Sequence, residues 1–311
     1  MHTNTVIKVV GVGGAGGNAI DRMMQCKLKG IEMIAVNTDA QDLKKIHAHQ
    51  KLRIGAESTG GLGAGMNMDV AKKAVEESRE ELAEALRGAD MVFVAAGLGG
   101  GTGGGAAPGV AEIAKELGAL TIAVVTKPFS FEGTWRAKLA EKALEDLRGK
   151  VDTLLVVPND QIVKIADAET TVIAAFWKVD EVLRQAVQGI SDLIVVPGIV
   201  NVDFADLKSI MAHSGQAVFG MGKAKGEHRI QEAIDMALHS SLLDLSIKGA
   251  KGVLFNIAGT DDLSLEEIKQ AAQHIKNEVS PSAKIIFGAL NDRNLKPGEI
   301  QLTIIATGFD R

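Results

Sequence analysis

Apolar residues concentrate in short blocks, most of them followed by a glycine-rich or Asn/Asp-bearing segment and then by helical spacing. The blocks at 6–10, 31–36, 91–96, 120–126 and 153–157 are predominantly apolar rather than alternating, with Lys8, Glu32 and a few threonines as the exceptions, as in strands buried on both faces. A brief strand is also predicted at 51–54. Between the strands the spacing predicts a helix beginning at 19–24 and others over 70–87, 109–117 and 135–148. Strands alternating with helices imply a parallel sheet wound on both faces. Thr170 and Thr171 can then cap a long helix reaching about 193, with Val172, Phe176, Val179, Leu183, Val187, Ile190 and Ile194 on one stripe. Past it, helices at 207–211, 230–240 and 264–278 and strands at 252–258, 284–289 and 300–307 predict a second, α+β unit.

Composition narrows the class. The chain has 311 residues, enough for two domains or one large one, with 46% hydrophobic and 23% charged residues, as in a globular protein. A net charge of −5 without a Lys/Arg-rich block argues against a nucleic-acid surface. The lone Cys26 rules out an internal disulfide and a cysteine-based zinc site, in keeping with a reducing cytosol. His47 and His49 have no third ligand and read as a solvated loop pair. There is no secretory signal pattern, and no apolar run reaches the ~18 residues that span a bilayer. A soluble chain without its own anchor is expected.

The candidate chemistry gathers at strand ends. Seven of the nine residues Gly97-Leu98-Gly99-Gly100-Gly101-Thr102-Gly103-Gly104-Gly105 are glycine, and they follow a buried strand and precede a helix. Bare backbone there offers several N–H groups to a multiply charged anion such as phosphate. Gly11, Gly13 and Gly16 match the GxGxxG fingerprint in its strand–turn–helix setting. That motif alone fits an NAD enzyme as well, although Asn37 and Asp39 match poorly the acid such an enzyme places after its second strand. Gly60 to Gly65 form another glycine-rich loop. Asn37-Thr38-Asp39 and Asn159-Asp160 join the two phosphate-type loops at carboxyl ends of strands, where open α/β sheets bind ligands. Together they point to a nucleotide. Phe176 is expected in the core first; with Asp180 on the same side of its helix, it also suits stacking and reading of a guanine. Asp203 and Asp206, three apart at a helix start, share a face, and N-capping is their alternative role.

These segments, in this order, resemble the FtsZ family of tubulin-like cell-division GTPases over nearly the whole chain. The resemblance rests on Gly100–Gly105, Gly11–Asn18, Asn37-Thr38-Asp39, 126–133, Pro158-Asn159-Asp160 and 201–206. It implies a tubulin-like, Rossmann-type α/β GTPase domain at 1–170, a long central helix at 171–194 and an α+β domain at 195–311. It favours GTP over NAD. By that likeness Gly13, Gly14, Gly17 and Asn18 would line the α- and β-phosphates and the base side. Gly100, Gly101, Thr102 and Gly103 would cradle the β- and γ-phosphates, and Glu132 and Arg136 would meet the ribose and α-phosphate. Asn18, Asn159 and Asp180 would read guanine with Phe176 stacked on it. No GxxxxGK[ST] loop is present, so backbone dipoles and a Mg²⁺ held by phosphate oxygens and water would balance the charge.

The resemblance also assigns Asn201, Asp203 and Asp206 to catalysis in the pocket of the next subunit of a head-to-tail homopolymer. Such a contact does not close on itself. A GTP-binding scaffold with little hydrolysis is the alternative. The implied setting is cytoplasmic, at the division site, without nucleic acid or direct membrane contact. Gly109, Trp135, Trp177 and Met68 depart from the usual residues, and Gly109 reads as a helix breaker near a helix start. The chain ends at Gly308-Phe309-Asp310-Arg311, where the family usually adds a linker and a partner-recruiting peptide, so tail-dependent division partners are not expected.

Overall fold

The structure, a computed structural model, describes residues 5–28, 30–164, 169–238, 246–292 and 294–309. The chain forms two compact units, Met1–Gln188 and Gly189–Arg311.

In the first unit β1 (Ile7–Val12), α1 (Gly13–Gln25), β2 (Ile31–Asn37), α2 (Ala40–Lys45) and β3 (Gln50–Arg53) come first. They lead through α3 (Ala56–Thr59), α4 (Met68–Glu77) and α5 (Arg79–Leu86) to β4 (Met91–Gly97) and α6 (Gly101–Glu116). Next come β5 (Leu120–Lys127), α7 (Thr134–Arg148), β6 (Thr153–Pro158) and α8 (Asn159–Lys164). The strands lie in the order β3-β2-β1-β4-β5-β6, every pair parallel. All six residues of β1 and the first six of β4 are buried, so these strands need apolar residues on both faces. The chain order reverses between β1 and β4, which opens a crevice above their carboxyl ends.

Helix boundaries differ from expectation where glycine or serine hides them. The helix expected over 70–87 is two helices broken at Ser78, whose buried Oγ accepts the Gly55 N–H at 3.1 Å. Helix α6 begins at Gly101, eight residues earlier than its apolar spacing suggests, and includes Pro108. Gly101, Gly105 and Gly109 form a row at four-residue spacing on it. A Cβ on them would meet the Gly65 oxygen at 2.6 Å, the Met68 oxygen at 2.4 Å and Val75 Cγ1 at 2.8 Å. Gly109 is thus no breaker at a helix start but the third contact point between α6 and the segment 65–75. Met68 takes the first position of α4 and is buried against the same surface.

Helix α9 (Val172–Val195) leads into the second unit, where α10 (Phe204–Met211), β7 (Gly215–Lys225), α11 (Arg229–Leu238), β8 (Gly252–Gly259), α12 (Leu265–Glu278), β9 (Lys284–Asn291) and β10 (Glu299–Thr307) follow. The last two residues of the helix expected at 230–240 lie outside the described residues, as do Asp310 and Arg311. Strands order as β7-β10-β8-β9, antiparallel except for β8 with β9. Strand β7 escaped prediction because Gly215, Gly220 and Gly222 interrupt its alternation. At Gly222 a Cβ would sit 2.0 Å from the Ala233 oxygen, so α11 lies directly on the strand backbone.

Candidate functional site

Two helix N-termini meet at the crevice. Helix α1 starts directly after β1 and α6 three residues after β4, and neither has a side-chain cap or an acid in its first turn. The first three N–H groups of each therefore lack an intrahelical acceptor. Gly13, at φ +73°, lies so near the other helix that a Cβ on it would be 3.0 Å from Gly103 N. A Cβ on Gly103 would be 2.3 Å from the Gly97 oxygen, and one on Gly16 would be 2.4 Å from the Ala95 oxygen. These glycines allow backbone to lie on backbone, so two positive dipole ends converge on one point.

The surroundings fix the second loop. Gly101 N–H donates to the Gly65 oxygen at 2.8 Å, which ties the two glycine segments together. The Thr102 and buried Thr38 hydroxyls share a hydrogen bond at 2.7 Å. Asp39 caps α2 by accepting from Gln41 N and Asp42 N, and Asn37 donates to Asp42 at 2.9 Å. The Asn37-Thr38-Asp39 segment thus shapes the rim by turn and cap chemistry.

A cleft of about 460 Å³ opens at this point. Gly14, Asn18, Gly100, Gly101, Thr102 and Gly103 line it together with Glu132, Arg136, Asn159, Phe176 and Asp180, and Arg136 backs the glycine loop, its oxygen lying 3.0 Å from where a Cβ on Gly99 would be. Gly13 and Gly17 do not line it. Gly13 serves the approach of α1 to α6, and a Cβ on Gly17 would crowd Ile46 Cγ1 at 3.2 Å.

Glu132 is fixed twice, by Arg136 Nη1 at 2.7 Å and by Phe129 N–H at 2.9 Å. Phe176 stays 40% exposed although it lies on the apolar stripe of α9, and the buried Phe129 ring meets it edge-to-face at 5.2 Å. Its free face is available for stacking. Asn159 opens α8 rather than a loop, and its buried Oδ1 has no hydrogen-bond partner. An orphaned buried acceptor suits a donor on a bound molecule. Asp180 is buried, and burial pushes its carboxyl up to about 6 against the lowering effect of Arg22.

Sequence reasoning missed Arg22, and it named Thr38 and Phe129 only within the segments 37–39 and 126–133, without their partners. Arg22 was legible in principle, being four residues beyond Asn18 on the same face of α1. Thr38 and Phe129 act through contacts 64 and 47 residues away in the chain, which no local pattern reveals.

Asn201, Asp203 and Asp206 belong to the second unit and are all exposed. Asn201 Oδ1 accepts the Gly198 N–H at 2.7 Å, while the backbone of 199–200 pairs with Ala289 on the edge of β9. Asp203 caps α10 by accepting from Asp206 N. The Asp206 carboxylate has no partner among the described residues. Also among these residues, no group of three or more His, Cys, Asp or Glu is placed to hold a metal ion, and no helix is long and apolar enough to cross a membrane.

A model of the GTPase domain of the Tubulin/FtsZ family matches residues 6–167, and a model of the FtsZ C-terminal domain matches 215–310. Among solved structures, an empty FtsZ dimer from M. jannaschii is similar over 99% of this chain and 89% of its own, at 45% identity and a TM-score of 0.94. Two Haloferax volcanii proteins share the fold at 23% identity. CetZ2, solved as a GTPγS-bound protofilament, covers 98% of this chain and 93% of its own at a TM-score of 0.82. CetZ1, a GDP-bound monomer, covers 98% and 94% at 0.84.

Proposed function

The chain belongs to the Tubulin/FtsZ family, and from that premise we propose that it is a filament-forming cell-division protein that hydrolyses GTP at head-to-tail subunit contacts. The observation that carries this reading is one cleft lined by two chemically distinct sets of groups. One set is the two uncapped helix N-termini; the other is Phe176, the buried Asp180 and the orphaned Asn159 acceptor. The first suits a polyphosphate and the second a guanine. An ionised Asp180 accepts from guanine N1–H and the 2-amino group, whereas adenine presents an acceptor there and is repelled. Residues 1–170 act as the GTP-binding domain, 171–194 as the central helix, and 195–311 as the domain carrying the catalytic loop.

The carboxylates lining the cleft are Glu132, committed to Arg136, and Asp180, in the base-reading set. By the family resemblance, activation of the attacking water is assigned to exposed acids on a second copy. Asp206, with its free carboxylate, polarises or positions that water; Asp203 holds the helix start that presents it, and Asn201 shapes the preceding turn. A Mg²⁺ ion bound with the nucleotide would supply charge neutralisation at the phosphates, beside the helix N-termini of α1 and α6. A head-to-tail contact of this kind generates an open filament. The setting is the cytoplasm, at the division site.

Sedimentation with GTP, GDP and ATP, with phosphate release measured alongside, tests the reading. Pelleting and phosphate release with GTP alone are expected. Assembly without phosphate release would favour a scaffold, and an equal response to ATP would contradict the assignment of the base-reading set.

A further inference from the structure

Arg22 is the cation facing Asp180, and its position is set from two sides. It stands on α1 one turn beyond Asn18, with its Nε 3.5 Å from Asp180 Oδ2. Its guanidinium carbon lies 4.5 Å from the centre of the Trp177 ring. Trp177 and Asp180 are three apart on α9, so one planar cation bridges both. Asp180 Oδ1 has no hydrogen-bond partner among the described residues, and the side chain lines the cleft. Of the other charges on these elements, Lys178 has no partner among the described residues, and Glu181 also feels the charge of Arg22. Glu181 is held by Arg184 and Gln185, Glu132 by Arg136, and Asp21 by His47.

We propose that Arg22 is a positioning residue for base recognition: steadied on Trp177, it keeps Asp180 charged and leaves the second carboxylate oxygen free to accept from the guanine edge. This rests on the reading of Asp180 as the guanine acceptor. The cause is electrostatic. Burial favours the protonated acid, and Arg22 is the group that opposes it. Without Arg22 the carboxyl is protonated nearer neutral pH, and its proton faces the donors of guanine. Trp177, 61% exposed, gives the cation a platform that leaves its Nε edge for Asp180. A lysine at position 22 would keep the charge but not the planar stacking.

The test is binding of a fluorescent GTP analogue to the full chain from about pH 5.5 to about pH 9, comparing the parent with Arg22→Gln, Arg22→Lys and Asp180→Asn. The parent should lose affinity as the pH falls through about 6. In Arg22→Gln the midpoint should move upward, with several-fold weaker binding at neutral pH and near-parental binding at the alkaline end of the range. Arg22→Lys should recover most of that shift. An Arg22→Gln loss that is equal at every pH, or a profile identical to the parent's, overturns the proposal while the guanine reading stands. Parental binding by Asp180→Asn overturns the guanine reading itself, and the role of Arg22 with it.

Discussion

The backbone N–H of Asp206 donates to the carboxylate of Asp203 at 2.6 Å, so two acids that share a motif do different work. Asp203 is the N-cap of α10, and removing such a cap costs about 1 kcal/mol. Asp206 sits in the first helical turn, exposed, with an unengaged side chain. Asp203→Ala should therefore lower both stability and GTP turnover. Asp206→Ala should abolish turnover with GTP binding and assembly intact, and should change stability by only a few tenths of a kcal/mol through the helix dipole. Denaturant unfolding, phosphate release and sedimentation on the two variants separate these outcomes. Parental turnover in Asp206→Ala would disprove the shared site.

Asp180 sets recognition against stability. Its folded-state pKa is about 6 against an ordinary 3.8, so folding favours the protonated form. The stability that the protonated form contributes is fully present below about pH 3.8 and is lost as the pH rises through 6. At neutral pH the buried, ionised carboxylate costs about 3 kcal/mol. Asp180→Asn should thus stabilise the nucleotide-free protein by about 2 kcal/mol at pH 7.5, and by progressively less as the pH falls toward 4.5. Urea unfolding across that range checks it; a gain independent of pH would remove the assigned cause.

Gly109 is fixed by packing. Alanine gains about 1 kcal/mol over glycine in a helix interior, but its Cβ would lie 2.8 Å from Cγ1 of the buried, β-branched Val75. Overpacking of this kind costs about 1–3 kcal/mol, so the contact outweighs the propensity. Gly109→Ala should destabilise by about 1 kcal/mol, and more mildly in a Val75→Ala background. Strict additivity in that double-mutant cycle would show that the two residues are not coupled.

The parallel half of the fold was readable because β1, β2, β4, β5 and β6 are mostly buried and appear as predominantly apolar blocks. The start of α6 was not, because its first turns consist of glycines, poor helix formers individually, whose places are set by Gly65, Met68 and Val75. Strand β7 was hidden for a related reason: Gly222 answers to Ala233 on α11 rather than to its strand neighbours. At the site, Gly14, Asn18, Glu132, Arg136, Asn159, Phe176 and Asp180 do line one cleft. At Gly13 and Gly17 a Cβ would meet Gly103 N and Ile46, a close approach that needs the third dimension to be seen. The partnership of Arg22 with Trp177 and Asp180 likewise forms only when α1 meets α9.

The central claim is that the cleft binds GTP alone and hydrolyses it only when a second copy supplies Asp206. Phosphate release per subunit, measured at saturating GTP over a dilution series that reaches fully monomeric protein, tests this most directly. Specific activity should rise with protein concentration and fall toward zero in the monomer. Constant specific activity down to the monomer would place the whole catalytic apparatus in one chain and contradict the account.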